Sequence, residues 1–333
     1  MNRKRNCLWM VVIVMACAMA MVFAGCSGKE TKKEAQTEAP QKEHRLSIVT
    51  TIFAPYDFAR QIVGGNADVA MLLSPGAESH SFEPTPQDII RIQESDVFVY
   101  VGGESDQWVD KILSSIDTKN KKIIKLLDTV EAVEEETKEG MQVSEEEEEE
   151  HGHEHEEKEL DEHVWTSPRN AIAITKAMTK VFGELDSKNK DAYEKNEAAY
   201  VKELENLDEQ FKQVVSSGKR KTIVFGDRFP LRYFADAYGL DYYAAFNGCS
   251  TDTEASAATV AFLTDKVKKE KIPVVFQIEL SNGAIAKSIA EATGAKVETF
   301  YACHTLSKDD YKAGLTYVAF MKKNVEVLKE ALN

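Results

Sequence analysis

The sequence predicts an α/β fold of two lobes, each a mostly parallel sheet flanked by helices, on three observations. Short apolar runs alternate with helix-patterned stretches over residues 46–127 and again over 222–332, as parallel βα units require. Between the two series lie two long helical stretches, 168–185 and 188–217, with no strand between them. With 333 residues, the chain is long enough for two lobes with ordinary cores.

Residues 46–51 (LSIVTT) read as a first strand, and Pro55 opens a helix that Gly64-Gly65 closes. A strand at 69–73 leads into the loop SPGAESHSFEP, 74–84. Helices at 86–93 and 107–116 and strands at 97–101 and 122–127 complete the lobe. Ser167 and Pro168 suit the N-cap and first helical position of the helix 168–185. The next helix carries Tyr193, Tyr200, Leu204, Leu207, Phe211 and Val214 at helical spacing, a stripe expected to form core and to brace both lobes. Strands at 222–225, 242–246, 273–278 and 296–301 then alternate with helices at 230–238, 253–269 and 282–292, and a last helix spans 311–332. The expected organisation is a leader 1–26, a linker 27–44 and a first lobe 45–167 that contains a disordered insert at 131–160. Bridging helices 168–218 and a second lobe 219–333 follow. Neither lobe carries a Gly-x-Gly-x-x-Gly turn or a P-loop, so nucleotide binding is not indicated.

The formal net charge of −15 is local. Residues 131–162 hold 17 acidic residues and two lysines, which leaves the remainder balanced and indicates neither nucleic acid nor an acidic surface as partner. Within the insert, 145–159 is an all-polar run holding His151, His153 and His155. Such a run is expected to be disordered and to bind divalent metal weakly, raising its local concentration.

The N-terminus reads as a targeting segment: Arg3, Lys4 and Arg5 precede an apolar run, 8–23. Ala24-Gly25-Cys26 resembles a bacterial lipobox with Cys26 as the lipidated first mature residue, although Phe23 stands where leucine is usual. An ordinary signal peptide and an uncleaved anchor are the alternatives, and all three place the folded part outside the cytoplasm. Cys7 and Cys17 belong to the leader. Cys249 and Cys303 remain, and an exported context favours a disulfide between them over thiol ligation.

Of the seven histidines, three fall in the acidic run and His44 in the linker. His80, His163 and His304 each lie in a loop flanking a strand or helix end, where open α/β sheets bind ligands. Three imidazoles suit Zn2+, and a tetrahedral site needs one further group. Glu279 and Asp227, each following an apolar strand, are the candidates. A zinc hydrolase would need paired ligands such as His-Glu-x-x-His, which are absent, so the chain does not read as an enzyme. A lipoprotein that binds an organic solute or a host surface is the competing class.

His80 in PGAESHSFEPTPQDI, and Asp161-Glu162-His163-Val164-Trp165 ahead of SPRNA, with an acidic His-rich insert between, resemble the zinc-type (ZnuA-like) metal-binding proteins of ABC importers over residues 46–332. The resemblance implies a TroA-like solute-binding fold, two α/β lobes joined by a long rigid helix with the metal between them. It implies a monomeric, extracytoplasmic Zn2+-binding protein, lipid-anchored to the cell membrane, that delivers its ion to an ABC permease. A manganese-type importer subunit or a metal-dependent adhesion lipoprotein is the neighbouring alternative. His80 and His163 match first-lobe ligands, and Glu279 in VFQIE matches a position that ligates in some members. Gly226 stands where the family motif His-x-x-Phe would place a histidine; His304, beside Cys303, is the imidazole available instead. A Cys249–Cys303 bond would then fix that loop.

Overall fold

Eight short strands build two separate, wholly parallel sheets of four in the computed structural model, which describes residues 45–142, 159–250 and 254–333. The first sheet contains β1 (Ser47–Thr50), β2 (Asp68–Met71), β3 (Val97–Tyr100) and β4 (Lys122–Lys125) in the order β2-β1-β3-β4. Its crossovers carry α1 (Phe53–Val63), α2 (Pro86–Glu94) and α3 (Gln107–Ser115). The central strand β3, VFVY, is buried at every position, as a parallel strand covered on both faces must be.

Two long helices follow, α4 (Pro168–Leu185) and α5 (Lys190–Ser217). At 28 residues α5 is about 42 Å long. It buries the stripe Tyr193, Tyr200, Leu204, Leu207, Phe211 and Val214, as its periodicity predicts. The second sheet has the order β6-β5-β7-β8, from β5 (Thr222–Arg228), β6 (Asp241–Phe246), β7 (Val274–Gln277) and β8 (Lys296–Thr299). It is interleaved with α6 (Arg232–Tyr238), α7 (Ala257–Glu270) and α8 (Ala284–Thr293), and closed by α9 (Lys308–Lys312) and α10 (Tyr317–Leu332).

One apolar core runs through both lobes, with Phe53 and Phe58 from α1, Leu204 and Phe211 from α5, and Phe225, Phe300 and Tyr317 from the second lobe. Buried hydrogen bonds tie the same seam. The Trp165 indole N–H donates to the Ala302 carbonyl at 2.8 Å, and the Tyr317 hydroxyl donates to the Trp165 carbonyl at 2.7 Å. The Phe53 amide donates to the His304 carbonyl at 2.9 Å, so the loop that bears His304 is bonded directly to the first lobe.

The fold departs from expectation in four places. The last helix is two, because Gly314 takes a left-handed φ of 70° and Thr316 starts a new helix by accepting from the Ala319 amide. Ser167 occupies the N-cap of α4 without a side-chain cap bond. Residues 131–142, expected within a disordered insert, lie across the second lobe. Glu135 N donates to Glu159 O and Gln142 N to Ala245 O, each at 2.9 Å, the Tyr242 hydroxyl donates to Glu136 at 3.1 Å, and Met141 is buried. Backbone partners on both sides outweigh the charge repulsion there. Leader, linker and the histidines 151, 153 and 155, with Cys26, lie outside the described residues.

The fourth departure is the disulfide. Cys249 and Cys303 are both buried and both free. Cys303, in a left-handed conformation at φ 62°, joins the core shared by the lobes. Cys249, after β6, instead faces Glu162 and His163. The two thiols serve different surroundings.

Candidate metal centre

Each lobe brings the carboxyl ends of its strands to the gap between them. His80 follows β2 on a loop pinned to the second lobe by Gly76 N donating to Leu306 O at 2.8 Å. His163 precedes a short 3-10 turn, Val164–Thr166, whose Thr166 hydroxyl donates to the His163 carbonyl at 2.8 Å. His304 follows β8, and Glu279, just past β7, sets its loop by accepting from Ala302 N at 2.7 Å and His304 N at 3.0 Å.

The imidazoles converge. One ring nitrogen of each lies within 4.8 Å of the others, and the ring centroids are 5.8 Å (His80–His163), 5.2 Å (His80–His304) and 4.9 Å (His163–His304) apart. His80 Nδ1 lies 2.9 Å from Glu78 Oε1, and His163 Nδ1 lies 3.0 Å from Asp161 Oδ1. A carboxylate can only accept, so each Nδ1 carries the proton and each Nε2 keeps its lone pair. Nε2 of all three rings is buried without a hydrogen-bond partner among the described residues. Orphaned polar nitrogens are costly in an interior, and three of them aimed together fit a divalent cation.

Burial lowers the pKa of His80, with the hydrogen bond to Glu78 opposing it, and drives His304 well below its ordinary value, helped by the two neighbouring imidazoles and Arg228. At His163 burial works against charge too, yet Asp161, Glu162 and Glu135 outweigh it and the pKa is raised. The pocket therefore keeps His80 and His304 neutral, and the carboxylates around His163 favour a positive charge beside that ring, which a bound cation would supply.

The carboxylates sort differently from the sequence reading. Glu279 spends its oxygens on backbone amides, and burial raises it to about 7. Its Oε1 is 4.0 Å from His304 Nδ1, so it props the histidine loop from behind. Asp227 accepts from Arg228 N at 2.9 Å and Ile278 N at 3.3 Å and is not gathered with the imidazoles. Glu162 is the carboxylate brought to them, its Oε1 3.8 Å from His80 Nε2 while Ser105 N donates to Oε2 at 3.0 Å. Sequence reasoning did not single it out, nor Glu78 and Asp161. The signal was present: in both histidine motifs a carboxylate stands two residues before the ring, Glu78-Ser-His80 and Asp161-Glu-His163.

Two glycines explain why the second lobe contributes its imidazole from His304. A Cβ at Gly226 would meet Ala286 N and Cα of α8 at 2.5 Å, so no side chain can stand there. A Cβ at Gly248 would come within 2.8 Å of His163 Cε1, so glycine lets the loop after β6 close over that ring. A cleft of about 120 Å3, lined by Glu78, His80, Arg228, Glu279 and His304 among others, opens beside the cluster.

Comparison with known proteins agrees with this architecture. The family described as "Zinc-uptake complex component A periplasmic" matches residues 48–331. The high-affinity zinc uptake system protein ZnuA of Bacillus subtilis is 34% identical over 327 residues, 97% of this chain and 98% of that protein. The zinc-binding lipoprotein AdcA of Streptococcus pneumoniae is 32% identical over 320 residues, and the chain spans 60% of AdcA's length. The crystal structure of the Zn(II)-bound ZnuA-like domain of AdcA superposes with a TM-score of 0.70 at 32% identity, covering 87% of this chain and 99% of that domain. With the match running from β1 into α10, and the two-lobed parallel fold in place around three converging imidazoles, this chain belongs to the ZnuA family.

Proposed function

We propose that the protein is an extracytoplasmic Zn2+-binding subunit of an ABC importer that captures the ion between its lobes and hands it to a membrane permease. The observation that carries this reading is the set of three buried Nε2 atoms without partners at His80, His163 and His304. Nitrogen-rich ligation favours zinc over manganese, which prefers oxygen donors. Glu162 supplies the adjacent carboxylate, either as fourth ligand or through a water, while Glu279 and Asp227 hold the second-lobe loops. Capture needs no turnover, and the protein acts as a carrier and not as an enzyme. Relatives named zinc-binding lipoprotein support Cys26 as a lipid anchor that tethers the protein to the outer face of the membrane, where it would act as a monomer. The histidines at 151, 153 and 155 act as an auxiliary lure that concentrates zinc near the cleft.

Titration of metal-free protein with zinc against a competing chromogenic chelator tests the reading. The wild type should take up one tightly held ion and gain thermal stability, because ligation ties both lobes. His80→Ala with His163→Ala should abolish tight binding while circular dichroism remains native. Unchanged affinity would refute the assignment.

A further inference from the structure

We infer that the protein holds a second coordination site for a thiophilic divalent cation, formed by Cys249, Glu162 and His163 and overlapping the three-histidine site at His163 and at Glu162, which borders both. A ligand atom of each residue lies within 4.8 Å of the others, and all three residues are buried. The thiol is not in a disulfide, and the loop that carries it closes on the His163 ring through Gly248, where no side chain has room.

The surroundings ask for a cation. Glu135, Asp161 and Glu162 crowd this end of the cleft: the Cys249 amide donates to Glu135 Oε1 at 3.1 Å, and Asp161 and Glu162 are 1% and 2% exposed. Among the described residues no lysine or arginine is ion-paired with any of the three; Asp161 and Glu162 instead face the rings of His163 and His80. His163 adds a buried Nε2 without a hydrogen-bond partner. Backbone amides of Ser105, His163 and Cys249 satisfy part of these carboxylates, and a bound cation would neutralise the charge that remains.

The donor set differs from that of the first site. Sulfur, nitrogen and oxygen replace three nitrogens, and a thiolate selects soft d10 ions such as cadmium as well as zinc. On binding, the Cys249 S–H bond breaks, its proton passes to solvent, and the sulfur forms a bond to the metal with no change in oxidation state. Because His163 belongs to both triads, an ion at one competes with an ion at the other. Cadmium would therefore interfere with zinc capture through a residue that contributes nothing to the imidazole set.

Cadmium alone is the probe, and the thiolate-to-cadmium charge-transfer absorption is the readout. Metal-free full-length protein carrying His80→Gln, or separately His304→Gln, has an incomplete imidazole triad and an intact Cys249 triad. Each should develop the band with one equivalent of cadmium, and Cys303→Ser added to either should leave it unchanged. Cys249→Ser added to either should abolish it, with native circular dichroism. A folded His80→Gln or His304→Gln protein without the band, or a band undiminished by Cys249→Ser, would overturn the proposal. Zinc binding by the wild type is measured separately, so loss of the imidazole site and loss of this one are distinguishable.

Discussion

Arg228, at the end of β5, reaches across the gap to Glu78, with Nη2 3.1 Å from Oε2 and Nη1 3.2 Å from His80 Nδ1. The second lobe thus grips the carboxylate that orients a first-lobe ligand. The hydrogen bond to His80, followed by Arg228, holds the Glu78 carboxyl well below the usual range.

This pair sets two effects against each other. The guanidinium steadies Glu78, but it also places a positive charge beside an ion-binding pocket. Glu78 keeps its bond to His80 without Arg228, so repulsion should dominate. Arg228→Met is expected to tighten zinc binding by about tenfold (~1.4 kcal/mol), a modest part of the Coulomb energy because the site is partly solvated. Chelator competition at low ionic strength checks this, and weaker binding would show that the grip matters more.

Asp161 should matter without touching the metal. Its Oδ1 accepts both the His163 amide at 2.8 Å and the ring Nδ1–H at 3.0 Å, which sets the tautomer and aims Nε2. Asp161→Asn is expected to weaken zinc binding by roughly 10- to 100-fold, as such supporting carboxylates do. Isothermal titration of a variant with native thermal stability is the measurement, and wild-type affinity would show that the ring is aimed by packing alone.

Stability should depend on pH through Asp106. This carboxyl is buried and accepts from Val101 N at 2.7 Å and Gly102 N at 3.1 Å, yet burial raises its pKa from 3.8 to about 7. The folded state therefore holds this proton more tightly than the unfolded chain. The resulting stabilisation is present in full below about pH 4 and is lost as pH rises to about 7. Urea unfolding of metal-free Asp106→Asn across that window should show a flatter dependence than wild type; parallel curves would count against it.

Gly226 gives a packing test. Gly226→Ala puts a methyl 2.5 Å from the α8 backbone and should cost on the order of 1–3 kcal/mol by displacing that helix. Denaturant unfolding measures it, and a neutral result would mean α8 shifts freely.

The order of strands and helices was legible because parallel strands and amphipathic helices write their periods into local sequence. Helix α4 has the bounds its Pro168 start and apolar spacing predict. The break before α10 was legible too, in the Gly314 stop and the Thr316 start, but the strong apolar period of 317–332 drew the helix back across it. The ordering of 131–142 was not, since it depends on Glu159 and Ala245, partners remote in sequence.

Counting residues outside the acidic run and the linker was enough for the sequence by itself to determine two lobes and three candidate imidazoles, since histidine is scarce here and loops after strands are where such ligands sit. Only the tertiary structure decided which carboxylate joins them. Glu279, Asp227 and Glu162 look equivalent in sequence, and each accepts a backbone amide, but Glu162 is carried by its neighbour His163 to within 3.8 Å of the unpartnered His80 Nε2. The cysteines were settled the same way. Spacing along a chain says nothing of direction, and the fold turns Cys303 into the core and Cys249 toward His163.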